Sequence, residues 1–333
     1  MIYECIQSDL DRGELDPHTL QQIRQDIQDR GYAVVAGLVS QESQALLMDS
    51  VLEDALQVRA NNDMTPHEKH TGRGHLQLGL RRSAPYVRAD LLANPIIESI
   101  VAAVLGEGAW LGFYNGNVNM PGSTFQPLHF DRPFSWRSEE QAGEYGESWP
   151  PRATTLSCSV AFQDITVANG ATEIYPGTHH ETEVTKWPLG ERLSNHPELV
   201  DSWGPASRME IPAGGICFRD PRMWHRGMPN ESDGVRPMIA LTYHAAVGLH
   251  WRGAVVHDMA AEDIARCHAD PVLRVMDDGK LGDGRLVFEN SAKSVFEDNP
   301  SQHGISRNAR FVAKVDHTRD AHLLGGARVI QQA

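Results

Sequence analysis

A chain of 333 residues, 41% of them hydrophobic and with no long polar tract, carries enough apolar material for a sizeable core. Its formal net charge of −14, with no basic run to offset it, argues against a phosphate-backbone partner. No apolar run approaches the roughly 20 residues that cross a bilayer, no cationic segment followed by an apolar one opens the sequence, and Cys5, Cys158, Cys217 and Cys267 show no metal or redox spacing; a cytoplasmic protein without nucleic-acid or membrane partners is expected.

Helical signals come first in the chain. Asp16-Pro17 is an N-cap and first-turn pair, after which Leu20, Ile23 and Ile27 recur at helical spacing up to Gly31. Tyr32–Val35 reads as a short strand. Ser40 precedes a helix with Leu47, Val51 and Ala55 on one stripe, and Asn94-Pro95 opens another that Gly106 stops. Between these helices, residues 58–90 are polar and locally basic, with Arg73, Arg81, Arg82 and Arg88.

From Trp110 the period changes to two. Strands are expected at Trp110–Met120, Thr154–Asp164, Ala171–Tyr175, Arg208–Ile211, Gly215–Phe218 and Arg236–His244. In the second, Leu156, Cys158, Val160 and Phe162 alternate with Thr155, Ser157, Ser159 and Ala161, which gives the strand two distinct faces. Helices followed by many strands divided by Gly and Pro turns indicate a mainly β protein, a jelly roll or sandwich with flanking helices. The stretch between Arg132 and Arg152 is a long insertion containing Phe134, Trp136, Tyr145 and Trp149, and its aromatics favour a lid. Beyond His250, a short helix at 261–268 and a strand at 311–315 are expected among polar loops.

The chemistry gathers at Gln126-Pro127-Leu128-His129-Phe130-Asp131. His129 and Asp131, two positions apart, lie on one side of an extended strand. His225, in Trp224-His225-Arg226-Gly227, would complete two nitrogens and one oxygen, the facial triad of non-haem Fe(II) oxygenases, which leaves three positions open. In a chain with sixteen histidines neither stretch is specific alone. The surroundings add weight. Asn169-Gly170-Ala171-Thr172 leads to Pro176-Gly177-Thr178-His179 between the two stretches, and the Pro212–Gly215 turn starts a strand toward Asp220 and His225. Arg236 opens the last strong strand, sharing a face with Met238, Ala240 and Thr242.

In that order and spacing, from Gly31-Tyr32-Ala33-Val34-Val35 to about Tyr243, the sequence resembles the phytanoyl-CoA dioxygenase family of Fe(II)/2-oxoglutarate-dependent oxygenases. Pro121-Gly122-Ser123, His129-x-Asp131, the Asn-Gly-Ala-Thr to Pro-Gly-Thr-His segment, and His225 followed by Asn230-x-Ser232 and Arg236 carry the resemblance. It implies one domain over 1–333: a helical flank at 1–108, a double-stranded β-helix (jelly-roll, cupin-like) core at 109–246 with a lid at about 132–152, and a C-terminal extension at 247–333. It implies Fe(II) held by His129, Asp131 and His225 as the catalytic centre, with 2-oxoglutarate and O2 as cosubstrates. Arg236 would take the far carboxylate of 2-oxoglutarate, where a planar guanidinium outperforms Lys. Thr172, Gln126 and Gln77 are the further cosubstrate candidates. The expected reaction is hydroxylation of a small molecule, with release of succinate and CO2. Asn117 and Asn119, which share a strand face with Asn115, together with Phe134, Trp136 and Arg73, are the candidate substrate contacts. His179 and His180 fall in the family's turn segment and are not expected as ligands, and a carboxylate at Asp131, where halogenases carry Gly or Ala, disfavours halogenation. Two departures stand out: Thr178 for the commoner Ser, and Arg226-Gly227 where many relatives carry a small hydroxyl, which puts one cosubstrate contact in question. A cupin-like metalloenzyme that does not use 2-oxoglutarate, and a non-catalytic jelly-roll binding protein, are the alternatives.

Overall fold

Capping residues set the N-terminal helices of the computed structural model. It describes residues 2–245 except 81–84, 87, 93, 107–108, 132–133, 135–137, 145, 147 and 189–190, and beyond them the short strands Ala254–Val255, Val275–Met276, Arg285–Phe288 and Val312–Ala313. After β1 (Ile2–Glu4) and α1 (Gln7–Arg12), α2 (Pro17–Arg30) begins where the Asp16 carboxylate accepts the Thr19 N–H. It ends at Gly31, whose φ of 86° only glycine adopts without strain. β2 (Tyr32–Ala36) follows, then α3 (Gln41–Asn61), capped by Ser40. The polar stretch 58–90 holds α4 (Pro66–Thr71), β3 (His75–Leu78) and α5 (Ala89–Leu92). It shows no apolar period because α4 is fixed by polar groups: Glu68 accepts from Thr65 N and Gly74 N and pairs with Arg59 at 2.6 Å. α6 (Pro95–Leu105) is capped by Asn94.

The remaining elements are β4 (Trp110–Asn119), α7 (Glu139–Glu144), β5 (Thr155–Ala161), β6 (Thr172–Ile174), α8 (Pro197–Ser202), β7 (Ser207–Met209), β8 (Ile216–Arg219), β9 (His225–Arg226) and β10 (Arg236–His244). The main sheet runs β1-β2-β8-β5-β10-β4-β3, and the second sheet β7-β6-β9. An antiparallel bridge between His129 and His225 adds the His129 segment beside β9. From β4 onward the chain therefore alternates between sheets: β4, then the His129 segment, then β5, β6 and β7, β8, β9, β10. That alternation is the double-stranded β-helix, and the fold is mainly β with flanking helices. The N-terminal region is more than a helical flank, since β1, β2 and β3 extend the main sheet at both edges.

Period two sorts the main sheet into two faces. Tyr114, Val118, Leu156, Val160, Ile216, Phe218, Ile239 and Leu241 form one core with helix residues such as Ile23, Ile27, Leu47, Val51, Ile97 and Val101. The opposite face looks toward the second sheet. Part of it closes with Val34, Ala161, Ile174, Met209, Ile211 and Cys217. The rest is polar, because register sets Arg236 beside Asn119 and His75, Asn117 beside Met238 and Gln77, and Ser157 beside Arg219 and Thr242. Strands are shorter than expected where side chains intercept the backbone: Asn169 accepts from Thr166 N and donates to Asp164 O, turning the chain soon after β5. The expected helix at 261–268 lies outside the described residues. Among the described residues no helix is long and apolar enough to cross a membrane.

Candidate active site

Backbone pairing brings the two distant stretches together. His129 N donates to His225 O at 3.0 Å and His225 N to His129 O at 2.8 Å, so the two imidazoles leave adjacent strands on the same side, ring centroids 4.3 Å apart. Asp131, two residues on, is held by its N–H to Pro221 O at 2.9 Å. One donor atom from each of His129, Asp131 and His225 lies within 4.8 Å of the others, close enough to hold one metal ion.

Main-chain carbonyls choose the tautomers. Nδ1 of His129 lies 2.8 Å from Pro127 O, and Nδ1 of His225 lies 2.9 Å from Met223 O, in each case the carbonyl two residues upstream. A carbonyl only accepts, so Nδ1 carries the hydrogen and Nε2 is left as the metal-facing lone pair. Nε2 of His129 is 3.5 Å from Asp131 Oδ1, and Nε2 of His225 is 3.4 Å from Oδ2. Burial, and then the nearby Arg219 guanidinium, push His225 down to about 4. Burial opposes the charged form of His129 too, but the Asp131 carboxylate outweighs it and its pKa is raised. Burial would also raise Asp131, yet His225 and Arg219 hold it well below the usual carboxylate range. His225 is thus kept neutral and Asp131 charged, while the proton that the carboxylate favours on His129 is one that a metal ion would displace; two imidazole nitrogens and a carboxylate oxygen are the donor chemistry that suits Fe(II).

A second group points to an anion. Arg236 is buried, at 4% exposure, and its Nε has no hydrogen-bond partner among the described residues. Its one described hydrogen bond runs from a terminal nitrogen to Gly170 O at 3.3 Å, and no carboxylate pairs with it among the described residues. Burial brings it only to about 10, so it remains a cation at neutral pH. A buried, unmatched guanidinium costs stability unless a ligand supplies the missing charge.

A family profile described as Phytanoyl-CoA dioxygenase (PhyH) matches residues 27–238, a span that includes His129, Asp131, His225 and Arg236. The chain belongs to the phytanoyl-CoA dioxygenase family. It is an Fe(II)- and 2-oxoglutarate-dependent dioxygenase, and the donor set and the orphaned Arg236 fit the metal and the dicarboxylate that such an enzyme uses. Dioxygenase ALT11 of Alternaria alternata is 25% identical over 252 residues, 70% of this chain and 74% of that one. Dioxygenase af480 of Aspergillus fumigatus is 25% identical over 162 residues, so the match spans 47% of this chain and less than half, 44%, of that relative. Among solved structures, the epimerase SnoN in complex with Fe3+, alpha ketoglutarate and nogalamycin RO is similar with a TM-score of 0.48 and 18% identity, over 70% of this chain and 86% of that one.

For a phytanoyl-CoA dioxygenase family member, the other sequence-derived candidates fall into three groups. Gln126, Thr172, Gln77 and Asn117 lie on or beside the polar inner face. The Gln126 Oε1 already accepts Gly227 N at 2.9 Å, which leaves its amide nitrogen to donate. Thr172 precedes Glu173, the partner of Arg226 across β6 and β9, and so lies toward Gly227. Gln77 and Asn117 are cross-strand partners and half-buried. Asn119 belongs to a second group, already spent on the fold: it donates to Met228 O at 2.9 Å and accepts from Ser123 Oγ at 2.5 Å. The third group turns elsewhere. Phe134 packs with Trp224, Leu193 and Val184, beside Leu128 and Phe130, whose parity is opposite to His129; it anchors the insertion to the outer side of the second sheet instead of shielding the metal side. The Arg73 guanidinium meets Asp63 at 3.0 Å in an exposed pair, because β3 starts only at His75 and leaves it at the surface. Trp136 lies outside the described residues.

Arg226-Gly227 has a steric explanation. Arg226 bonds Glu173 at 2.7 Å on the outer side, while a Cβ at Gly227 would stand 2.7 Å from both His75 Cε1 and Gln126 Cδ. Sequence reading passed over Arg219. It ends the apolar run Ile216–Phe218 with the inward parity of Cys217, and a charge at an inward strand position was the available signal.

Proposed function

We propose that this dioxygenase hydroxylates an unactivated C–H bond of a small-molecule metabolite or natural-product intermediate, with His129, Asp131 and His225 as metal ligands and Arg236 as the anchor of 2-oxoglutarate. Bound iron and 2-oxoglutarate would supply the oxidising power, O2 giving one oxygen atom to succinate as CO2 leaves and the other to the substrate. Everything else falls to the chain's own side chains. The two carbonyl-fixed imidazoles keep Nε2 aimed at the metal without reorganisation. Arg236 would fix the far carboxylate at the buried end, and the Gln126 amide and Thr172 hydroxyl would steady the same molecule. Gln77 and Asn117 offer hydrogen bonds that would orient a polar substrate on the inner face. Asn119 and Ser123 hold the neighbouring backbone instead.

The observation that carries this reading is the buried Nε of Arg236, without a partner among the described residues, on the inner face of the main sheet, which looks toward the second sheet and its three-donor cluster. Anaerobic addition of Fe(II) and 2-oxoglutarate tests it through the visible charge-transfer band of the chelate. The band is expected in wild type, absent in His225→Ala, and reached only at much higher 2-oxoglutarate in Arg236→Ala. Iron-loaded wild type that gives no band would overturn the assignment. Succinate release then serves as the screen for substrates, and hydroxylation is read from the product mass.

A further inference from the structure

Arg219 touches two of the three metal-facing residues. One terminal nitrogen donates to Asp131 Oδ2 at 2.7 Å, and the other lies 3.2 Å from His225 Nδ1. Because Nδ1 of His225 already carries its hydrogen toward Met223 O, the contact with His225 is steric and electrostatic, and the bond that Arg219 makes is to Asp131. The guanidinium side chain is 8% exposed and projects from the inner face of β8, a rigid central strand with β2 on one side and β5 on the other. The Asp131 side chain is 39% exposed; its Oδ2 is shared between Arg219 and the Nε2 of His225, 3.4 Å away, while its Oδ1, 3.5 Å from His129 Nε2, has no bond to Arg219.

A carboxylate can give a metal one oxygen or two. With both, Asp131 and the two imidazoles would fill four of six octahedral positions; 2-oxoglutarate, chelating through its 2-oxo acid end, would fill the rest, and dioxygen would have no place. With one, a position remains. A charge-assisted hydrogen bond is about twice as strong as a neutral one; it takes one of the two lone pairs of Oδ2 and draws its charge toward Arg219, which makes that oxygen the weaker metal donor. We propose that Arg219 is a positioning residue that holds Asp131 to single-oxygen coordination through Oδ1, and so keeps the gas-binding position open. This rests on the reading of His129, Asp131 and His225 as the metal site, and it adds a reason for a cation beside a cation-binding centre, where like charge would otherwise be selected against.

Nitric oxide, a dioxygen surrogate, tests the proposal without turnover. Anaerobic wild type, Arg219→Gln and Arg219→Lys would each be loaded with Fe(II) and 2-oxoglutarate and titrated with nitric oxide, reading the electron paramagnetic resonance of the adduct. Arg219→Gln is expected to form the 2-oxoglutarate band at a shifted wavelength and to bind nitric oxide about 10- to 100-fold more weakly, the scale on which loss of a metal ligand's hydrogen-bond partner lowers metal affinity or activity. Arg219→Lys, which keeps a buried cation donor, should recover most of that loss. Equal nitric oxide affinity in wild type and Arg219→Gln would overturn the role of Arg219 alone, as would equal losses in both variants. Wild type without a band would instead overturn the site reading beneath it. If Arg219→Gln fails to fold, a crystal structure of metal-loaded wild type decides: Oδ1 alone on the metal with Oδ2 on Arg219 supports the proposal, and both oxygens on the metal overturn it.

Discussion

Arg236→Met separates a ligand-binding cation from a structural one. In the unliganded protein the guanidinium is buried with one long hydrogen bond, and burial lowers it from 12.5 to about 10. A depression of that size corresponds to about 3 kcal/mol of destabilisation at neutral pH, where the group is held charged. The bond to Gly170 returns about 1 kcal/mol. Methionine fills a similar volume without charge, so the unliganded variant should be more stable than wild type by about 2 kcal/mol, a rise of about 3 °C in Tm for a chain of this size. Losing one partner of a buried charge pair costs about 2–5 kcal/mol, so the Kd for 2-oxoglutarate should rise by about 30-fold or more. At cosubstrate near 100 times the wild-type Kd, wild type gains about 2.7 kcal/mol, and a variant weakened about 30-fold gains about 0.9 kcal/mol. The two melting curves, measured anaerobically with Fe(II) by scanning calorimetry, should therefore close to near coincidence when 2-oxoglutarate is added, and cross where the loss of affinity exceeds about 30-fold. A variant that is less stable than wild type without cosubstrate, and equally stabilised by it, would refute the argument.

Arg222→Met should behave in the opposite way. It breaks a buried ion pair with Asp220 at 2.6 Å and strands a carboxylate, so a loss of about 3–5 kcal/mol is expected in urea unfolding, partly recovered in Asp220→Leu/Arg222→Met. Acid should weaken the metal-free fold before its carboxylates titrate. Burial pushes His67 and His179 each down to about 4, so the unfolded chain takes up protons that the folded one refuses as pH falls from the ordinary histidine value toward 4. Stability is full above that window and lost within it, and His179→Gln should flatten the urea midpoint plotted against pH over the same range. Gly227→Ala should cost about 1–3 kcal/mol through overpacking and also weaken 2-oxoglutarate binding if Gln126 touches it; an unchanged Kd by calorimetry would remove Gln126 from the cosubstrate site.

Legibility followed how local the determinant was. Helices with a side-chain cap, such as those begun by Asp16, Ser40 and Asn94, and strands with alternating faces, such as β4 and β10, stand where the sequence put them. His129 and His225 could be paired on paper because each carries its neighbours' parity with it, and the strand register does bring them together. Residues whose direction depends on a turn were not legible in that way. Phe134 leaves the strand of His129 beyond Asp131 and crosses to the outer side, and Arg73 stops short of the sheet. α4 and β3 were hidden because Glu68, a single buried carboxylate, does the work that an apolar stripe does elsewhere. Asn119 shows a further limit: alternation gives the face on which an amide lies, while only the tertiary structure reveals that Met228 and Ser123 already use it.

Arg222 also fastens both ends of the insertion to the loop that delivers His225. Its Cζ stands 5.0 Å over the Phe134 ring near the start, and a terminal nitrogen donates to Pro151 O at 2.7 Å at the finish. One guanidinium thus clamps the two ends of the insertion to the loop that carries His225, so whatever loosens Arg222 loosens all three together.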